Sequence, residues 1–416
     1  MIVKSLIASA CLMLSAFTSA VNADNTSSTD SSPSFIVFGN SLSDDGNAMT
    51  VLHSKAYWMG RYSNAPVWNE YVANILNMTL VNYAFGGATS SNSESLNATA
   101  NGVTIPSYLD QISAYLKNTT STNSGSKNNS QDLVGLEIGS NNFLGTLSHP
   151  QSLLSNTTGF VEQIVDDIVT GLNQMVDAGY RRFFIWNLPA IWLTPLVINN
   201  KLMSQAAKSI VQSANTKLNE TIGGYLDQNK EKIDYLHVFD VAGLMQMTID
   251  NEVSEAMNIH NFTAACFNTD KKTNEISICD KPYEYYFYDG VHPSARVQYL
   301  AGAIAANYIS VPNYNATTQE LIDTVKKYDI GNATATNNIL ADDGVVDIGS
   351  YQPNSNQSSL VSKDKDDKGS SKSKDSKDSE SEGSAVAASE MNIMKSPIAL
   401  MTIITATAAA TSLFSF

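Results

Sequence analysis

Cysteine and positive charge are both scarce in this chain of 416 residues. It holds three cysteines, and Cys11 lies in an apolar N-terminal run, so two remain, which are too few for a structural zinc site. Lysine and arginine total 25 against 40 acidic residues, a formal net charge of −15, and no basic stripe occurs. Because nucleic-acid binding needs a basic face, this balance argues against a nucleic-acid partner.

The two ends of the chain lack the composition of a globular domain. At the N-terminus, Lys4 precedes the apolar run LIASACLMLSAFTSA, which is short for a membrane span and is followed by small residues up to Ala23. This pattern predicts a signal peptide over residues 1–23, and a membrane anchor is the alternative.

The C-terminal end has no charged residue from Pro397 to Phe416. The small-residue stretch GSAVAAS, residues 383–389, and a short spacer come before it. This arrangement predicts a GPI attachment signal over residues 383–416, which would hold the mature protein on a membrane. A tail-anchor helix is the alternative. A signal peptide at the other end favours GPI, because the chain then already enters the secretory pathway.

Two further features agree with secretion to the cell surface or cell wall. The sequence has eleven Asn-x-Ser/Thr sequons, a density that would be unusual in a cytosolic protein and that predicts a glycoprotein. The two cysteines left after signal cleavage are Cys266 and Cys279. In an oxidising compartment we expect them to form one disulfide.

Between residues 34 and 310, short β-like runs alternate with longer amphipathic helical runs. The five β-like runs are FIVF, LVNYA, LVGLEI, RFFIWN and YLHVFD. This alternation predicts an α/β domain with a parallel sheet covered by helices on both faces. Residues 24–33 are rich in Ser, Thr and Asp and are expected to be disordered. Residues 311–382 are expected to be a linker and a low-complexity Ser/Lys/Asp stalk. Residues 311–350 are mixed, with one short amphipathic piece, TTQELIDTVKKY, whereas residues 351–382 carry too little apolar surface to fold.

Ser41 directly follows the first predicted strand, in FIVFGNSLSDDGN. The carboxyl ends of strands are where open α/β sheets bind ligands. A serine hydroxyl becomes an effective nucleophile only when a base takes its proton. Taken alone, Gly-Asn-Ser-Leu is more typical of an ordinary strand-to-helix turn.

Asp289 and His292 lie close together in YYFYDGVHPS, far along the chain. Histidine titrates near neutral pH and can act first as a base and then as an acid. An aspartate three residues earlier on the same loop can reach Nδ1 of the histidine and fix its tautomer. A turn with a surface histidine is the alternative. The other histidines, which lack such a partner, are expected to be structural or exposed: His53, His149, His237 and His260.

Two segments offer donors for an oxyanion, which acyl transfer requires. NYAFGGATS places a glycine pair after the second predicted strand, and IGSNNF places two asparagines after the third. Either segment alone is better explained as a loop. Together with the serine and the Asp-x-x-His segment, however, four polar segments fall at one edge of the predicted sheet, which favours a single site.

The blocks FGNSLSDDGN, NYAFGG, GSNN and DGVHPS resemble, in order, the four motif blocks of SGNH or GDSL hydrolases. GRYSNAPVW and RRFFIWNLPAIWLTP resemble segments of the branch with plant-type GDSL lipases, bacterial acylhydrolases and fungal carbohydrate esterases. The resemblance implies a flavodoxin-like, three-layer α/β/α sandwich with a five-stranded parallel sheet over residues 34–310. It also implies a triad of Ser41, Asp289 and His292.

By the same resemblance, the oxyanion hole consists of the Ser41 N–H, the Gly87 N–H and the Asn141 side chain, and no metal or organic cofactor takes part. Two positions depart from the family pattern. Asn40 stands where the first block usually has Asp, and Asn142 stands where the third usually has Asp. Both changes remove a charge beside the expected site.

The resemblance implies a serine esterase or lipase whose substrate is a carboxylic ester. We expect a short acyl ester, with acetyl groups on carbohydrate preferred. A lipase or lysophospholipase acting on lipid acyl esters is the alternative. A non-catalytic surface glycoprotein on a hydrolase fold is a third possibility, against which the complete set of catalytic residues argues.

Overall fold

The computed structural model describes residues 32–48, 56–92, 98–100, 103–121, 129–147, 157–270, 273 and 275–342. All of them except Ser32 belong to one compact unit that begins at Pro33. The predicted signal peptide, the stalk from 351 onward and the predicted GPI signal lie outside the described residues.

A five-stranded parallel sheet forms the centre of this unit. Its strands are β1 (Ser34–Gly39), β2 (Thr79–Asn82), β3 (Leu133–Glu137), β4 (Arg182–Trp186) and β5 (Tyr235–Phe239). Their spatial order is β2-β1-β3-β4-β5, and each neighbouring pair is parallel. This is the flavodoxin-like order, so the predicted strand set and topology are confirmed.

Helices cover the sheet and continue beyond it, with these bounds: α1 (Trp68–Ile75), α2 (Tyr108–Ser121), α3 (Ser140–Leu147), α4 (Thr157–Asp177), α5 (Pro195–Ile198), α6 (Lys201–Asn229), α7 (Val241–Thr248), α8 (Glu252–Ala256), α9 (Ala295–Ser310), α10 (Thr318–Lys327) and α11 (Ile339–Asp342). Among the described residues, no helix has the length and apolar composition needed to cross a bilayer.

Alternate residues of the strands face two separate cores, which makes the fold three-layered. In β1, Phe35 and Val37 pack in the core that includes residues of α1 and α9. Ile36 and Phe38 pack in the core that includes residues of α2 and α4. All four are fully buried. Side chains alternate between the faces of a strand, so a run that is apolar throughout needs a cover on both faces. This confirms the predicted α/β/α sandwich.

Short strands pair outside the main sheet. Thr99–Ala100 is antiparallel to Val103–Thr104, and Asn261–Ala265 is parallel to Tyr285–Phe287. Phe267–Thr269 and Ile276–Ile278 form an antiparallel pair, which we call the disulfide hairpin because Cys266 and Cys279 flank it.

The packed chain continues past the boundary that the sequence predicts near residue 310. Leu321 and Val325 of α10 are buried in the same core as α9, as are Ile330 and Leu340. The amphipathic pattern TTQELIDTVKKY therefore belongs to an integral helix of the domain, because its apolar face covers core that would otherwise meet water.

The order of the strands explains where a site can form. The chain passes from β1 to β2 on one side and then to β3 on the other side of β1. At such a switch point, the loops after the two strands diverge and leave a crevice at their carboxyl ends. Ser41 follows β1 and Asn141 follows β3, so both predicted site residues lie at this crevice.

Candidate active site

Three side chains from distant parts of the sequence form one hydrogen-bonded row. His292 Nε2 lies 2.7 Å from Ser41 Oγ. His292 Nδ1 lies 2.6 Å from Asp289 Oδ2. All three residues are buried, with exposures of 7% for Ser41, 8% for Asp289 and 9% for His292. The structure thus brings together the three residues that the motifs single out, at distances at which a proton can pass from the serine to the imidazole.

Asp289 is held by its own loop and by a tyrosine. Its Oδ1 accepts hydrogen bonds from the backbone N–H groups of Val291, at 2.8 Å, and of His292, at 2.7 Å. The Tyr57 hydroxyl donates to Oδ2 at 2.5 Å. Burial raises the pKa of Asp289, but His292 and these donors together hold it below its ordinary value. The carboxylate therefore stays ionised and can fix the tautomer of His292.

Two tyrosine rings enclose the imidazole of His292. The Tyr62 ring lies 5.1 Å from the His292 ring, and the Tyr57 ring approaches it edge-on at 6.3 Å. Rings at these distances exclude water from one side of the imidazole and restrict its rotation. Sequence reasoning missed Tyr57, because 232 positions separate it from the carboxylate it contacts.

A buried ion pair anchors the segment that carries Tyr62. Arg61 donates to Glu70 from Nη2 at 2.5 Å and from Nε at 3.2 Å. Glu70 Oε2 also accepts from the Val67 N–H at 2.9 Å. The pair is bidentate and shielded from solvent, which fixes its geometry more firmly than a surface pair. This explains the supporting segment GRYSNAPVW, whose one charged residue, Arg61, holds the loop beside the site through Glu70.

Asp44 joins the nucleophile loop to the glycine loop after β2. It accepts backbone N–H groups of its own turn, Gly46 at 2.8 Å and Asn47 at 2.6 Å, and also the N–H of Gly86 at 2.6 Å. Burial nevertheless raises the pKa of Asp44 to about 6. The SLSDDGN run therefore has a structural role besides carrying the nucleophile, because Asp44 fixes the distance between the two loops.

The two glycines after β2, Gly86 and Gly87, are each required for a different structural reason. Gly87 has a φ of +86°, which residues with a side chain rarely adopt. A Cβ at Gly86 would collide with the ring and hydroxyl of Tyr62. Among the described residues, no atom accepts a hydrogen bond from the N–H of Gly87 or of Ser41. Both N–H groups are thus available to a ligand at the sheet edge.

Asn141 lies in the first turn of α3, and its side-chain amide contacts the glycine loop. Nδ2 donates to the carbonyl of Ala88 at 2.9 Å, which uses one of its two hydrogens. The next residue, Asn142, is bonded to Ser90, because its Oδ1 accepts from the Ser90 N–H at 2.9 Å. The two asparagines therefore tie α3 to the loop after β2, and one Asn141 hydrogen remains for a ligand.

The expected disulfide is present in the structure. Cys266 and Cys279 are bonded, with their Cα atoms 4.9 Å apart. Phe267, the first residue of the disulfide hairpin, donates its backbone N–H to the carbonyl of Tyr288 at 2.6 Å and packs its ring 5.4 Å from Tyr57. The hairpin therefore supports both the loop that ends in His292 and the tyrosine that contacts Asp289.

Neither of the other two histidines that the structure describes belongs to this row. His237 of β5 is half-buried between the rings of Phe184 and Tyr308, and burial lowers its pKa. His260 is exposed, whereas His53 and His149 lie outside the described residues. Within the described ranges, no group of three or more His, Cys, Asp or Glu side chains is arranged to hold a metal ion.

Comparison with known proteins gives related sequences and structures. One relative is the thermolabile hemolysin of Vibrio parahaemolyticus, 26% identical over 51% of this chain and 46% of that protein. Another is the phosphatidylcholine-sterol acyltransferase of Aeromonas hydrophila, 27% identical over 43% of this chain and 52% of that protein. The match spans about half the length of these curated relatives. The phospholipase A1 of Streptomyces albidoflavus superposes with a TM-score of 0.36 at 13% identity, covering 67% of this chain and all of that one.

A family model decides the assignment. The model of the GDSL-like lipase/acylhydrolase family matches residues 35–304, which is most of the packed domain. The match begins in β1, just before Ser41, and ends in α9, beyond His292, so the hydrogen-bonded row lies inside it. The chain therefore belongs to the GDSL-like lipase/acylhydrolase family.

Proposed function

We propose that the protein is a serine esterase that hydrolyses carboxylic ester bonds. The observation that carries this proposal is the row Ser41 Oγ, His292 Nε2, His292 Nδ1 and Asp289 Oδ2, with contacts of 2.7 and 2.6 Å. A nucleophile bonded to a base, with the base oriented by a third group, is the arrangement that acyl transfer needs.

In the proposed mechanism, Ser41 Oγ attacks the ester carbonyl while His292 Nε2 takes the hydroxyl proton. The backbone N–H groups of Ser41 and Gly87 and the second hydrogen of Asn141 Nδ2 stabilise the oxyanion that forms. His292 then returns the proton to the alcohol oxygen, the C–O bond breaks, and the acyl group stays on Ser41. Water next gives a proton to His292 and attacks the acyl carbon. The bond between that carbon and Ser41 Oγ then breaks, His292 returns the proton to Oγ, and the acid leaves.

For the substrate, we propose a short acyl ester, with acetyl groups on carbohydrate preferred. An apolar cavity of about 30 Å³ borders Leu42 and Pro293, the chain neighbours of the nucleophile and the base. A volume of this size holds roughly two water-sized groups, which is too small for a long acyl chain, and none of its lining residues is a triad member or an oxyanion donor. Lipid acyl esters are the second candidate, because the Aeromonas relative is named for acyl transfer between phosphatidylcholine and sterol.

The test compares p-nitrophenyl acetate with p-nitrophenyl decanoate, using the purified domain and its Ser41→Ala variant. We expect the variant to keep its far-UV circular dichroism and to lose at least about 10³-fold in kcat. We also expect kcat/KM to be at least tenfold higher for the acetate. Undiminished turnover by Ser41→Ala would exclude the mechanism. A preference for the decanoate would instead favour the lipid substrate, to be checked with phosphatidylcholine vesicles against an acetylated polysaccharide.

We further propose that the protein is a secreted glycoprotein held at the cell surface by a GPI anchor. The described sequons support this, because none is buried: Asn77, Asn118, Asn219, Asn261, Asn315 and Asn332. The disulfide fits an oxidising compartment. Treatment of intact membranes with phosphatidylinositol-specific phospholipase C should release the protein. Retention, under conditions that release a control GPI protein, would favour the tail-anchor alternative.

A further inference from the structure

Asn40, the first departure from the family pattern, contacts a buried carboxyl group at the end of the neighbouring strand. Its Nδ2 donates to Glu137 Oε1 at 2.9 Å. Glu137 is the last residue of β3 and pairs in register with Gly39, the residue before Asn40. Both side chains are 1% exposed. The contact therefore lies at the carboxyl ends of β1 and β3, next to the turn that carries Ser41.

The orientation of the Asn40 amide follows from its other partner. Oδ1 accepts the backbone N–H of Leu42 at 3.0 Å, and a backbone N–H can only donate. The nitrogen must therefore face Glu137. An aspartate at position 40 would satisfy Leu42 equally well, but it would place a second carboxyl oxygen about 2.9 Å from Glu137. Two buried carboxylates at that distance cannot both be ionised.

The second oxygen of Glu137 binds the other end of the same turn. Ser43 Oγ lies 3.1 Å from Glu137 Oε2, and it accepts the indole N–H of Trp68 at 3.0 Å. Because the indole only donates, the hydroxyl hydrogen of Ser43 is free to point at Glu137. Residues 40 and 43 are thus both bonded to one carboxyl group, and the nucleophile lies between them.

The second departure from the family pattern has a similar partner. Asn142 Nδ2 donates to Ser90 Oγ at 2.8 Å, and Ser90 Oγ donates to Asp167 Oδ2 at 2.6 Å. Asp167 belongs to α4 and is 5% exposed. At both positions where the family usually has aspartate, an asparagine is therefore connected to a buried carboxyl from another element.

We propose that Glu137 compensates for Asn40. In this chain, β3 supplies through Glu137 the carboxyl group that the family usually carries at the position of Asn40, beside the nucleophile. Glu137 is then a positioning residue, which holds Ser41 for attack through Asn40 and Ser43 without touching substrate. The carboxyl group absent at position 40 is thus supplied by β3, one side chain away. This inference rests on the proposed nucleophilic role of Ser41.

The test is a double-mutant cycle of Asn40→Asp, Glu137→Gln and the combined variant. In the combined variant, the Gln amide can donate to the new aspartate, and its oxygen can accept from Ser43, so all groups are paired again. Each variant is measured for its rate of labelling by a fluorophosphonate, for kcat and KM on p-nitrophenyl acetate, and for its Tm. Fluorophosphonate labelling reports the reactivity of Ser41 whatever the natural ester is.

We expect Asn40→Asp to lower the labelling rate and kcat by about tenfold or more, the size typical of residues in direct contact. The loss in Glu137→Gln should be smaller, because only the hydroxyl of Ser43 loses its acceptor. The combined variant should return to within about threefold of wild type, with KM unchanged throughout. If Asn40→Asp does not fold, the combined variant should fold and be labelled.

A matched control is the pair Asn187 and Asp240, in which Asn187 Nδ2 donates to Asp240 Oδ1 at 2.7 Å after β4 and β5. Asn187→Asp, Asp240→Asn and their combination should show coupling in Tm, but all three variants should be labelled by the fluorophosphonate at the wild-type rate. The proposal is overturned if the combined Asn40/Glu137 variant is no better than the worse single variant, or if both single variants are labelled at the wild-type rate. An absence of ester turnover with normal labelling and normal coupling would count against the proposed substrate only.

Discussion

Tyr57 shares one oxygen of Asp289 with the imidazole. The hydroxyl and His292 Nδ1 both contact Oδ2, at 2.5 and 2.6 Å. Burial and the nearby carboxylate raise the pKa of Tyr57 well above its ordinary value, so it remains a donor at any working pH. Its hydrogen bond spreads the carboxylate charge that would otherwise act on His292 alone.

We therefore expect Tyr57→Phe to strengthen the interaction of Asp289 with the positive charge that the base acquires, because the carboxylate then has one donor fewer. The acid limb of the kcat/KM profile should move to higher pH, by up to about one unit. A suitable control is Tyr225→Phe, since Tyr225 donates to Asn173, away from the site. Superimposable profiles for Tyr57→Phe and wild type would show that this hydrogen bond has no effect on the base.

Asn141 combines a structural contact with the proposed oxyanion contact. Asn141→Ala should lower kcat by roughly 10²–10³, the usual result of losing one oxyanion donor, while KM changes little. Asn129 is a matched control, because its Nδ2 also donates to a backbone carbonyl, that of Ala178 at 3.2 Å, and it precedes β3, at the opposite end of the strand from Asn141. A loss in kcat below tenfold, measured on p-nitrophenyl acetate, would remove Asn141 from the oxyanion hole.

At this scale, the sequence predicts contacts that its motifs carry and misses those formed only by folding. Asp289 and His292 are three residues apart, so their contact can be read from the loop. The orienting Tyr57 and the buried Glu137 have no signal, because each depends on a partner from another element. For the same reason, the sequence does not show that a carboxyl group from β3 lies beside Asn40.

The secondary elements differ in how well local sequence encodes them. The strands of the main sheet are predicted because each is an apolar run buried on both faces. Helix α3 is not, because GSNNF consists of residues typical of loops, and the helix is held through Asn141 and Asn142. The disulfide hairpin exposes Ile276 and Ile278, so it lacks the burial pattern from which a strand is recognised.

The disulfide hairpin connects a local element to the site, which leads to a prediction at this scale. The bond joins residues 13 apart in sequence, and closing a loop of that size is worth roughly 3 kcal/mol in the chain-entropy model. Replacing Cys266 and Cys279 together by serine should lower Tm. It should also lower kcat, since Phe267 supports both Tyr288 and Tyr57.

Reduction of the wild type provides the control for this double variant, because it opens the same bond without changing a side chain. Thermal unfolding and kcat are measured with and without dithiothreitol, after mass spectrometry has established that both thiols are free. If Tm and kcat do not change on reduction, the hairpin does not depend on its disulfide.

For the molecule as a whole, buried carboxyl groups make stability depend on pH. Burial raises the pKa of Asp44 to about 6, of Asp45 to about 7 and of Glu137 to about 8. All three belong to the loops after β1 and to the end of β3, so the proposed active-site edge of the sheet contains the groups that titrate near neutral pH. The pKa of Asp289 moves the other way and is lowered.

The sign of the effect follows from proton binding. A carboxyl group with a raised pKa binds more protons in the folded chain than in the unfolded chain, where it ionises near pH 4. Its contribution to stability is complete below that pH and is lost as the pH rises through its folded pKa. Asp289 contributes stability above pH 4 and loses it in acid.

We therefore expect Tm to be highest in mildly acidic buffer and to fall from about pH 5 to pH 9. Exposed carboxyls are already ionised over most of this range and add little to the slope. The measurement is Tm by calorimetry at constant ionic strength.

The Glu137→Gln variant lacks the group with the highest of the three pKa values. The Tm of this variant should therefore fall less than that of wild type between pH 7 and pH 9, whatever the absolute Tm of the variant. A Tm that rises with pH over this range, or an unchanged slope in Glu137→Gln, would mean that these carboxyls do not titrate as their burial implies.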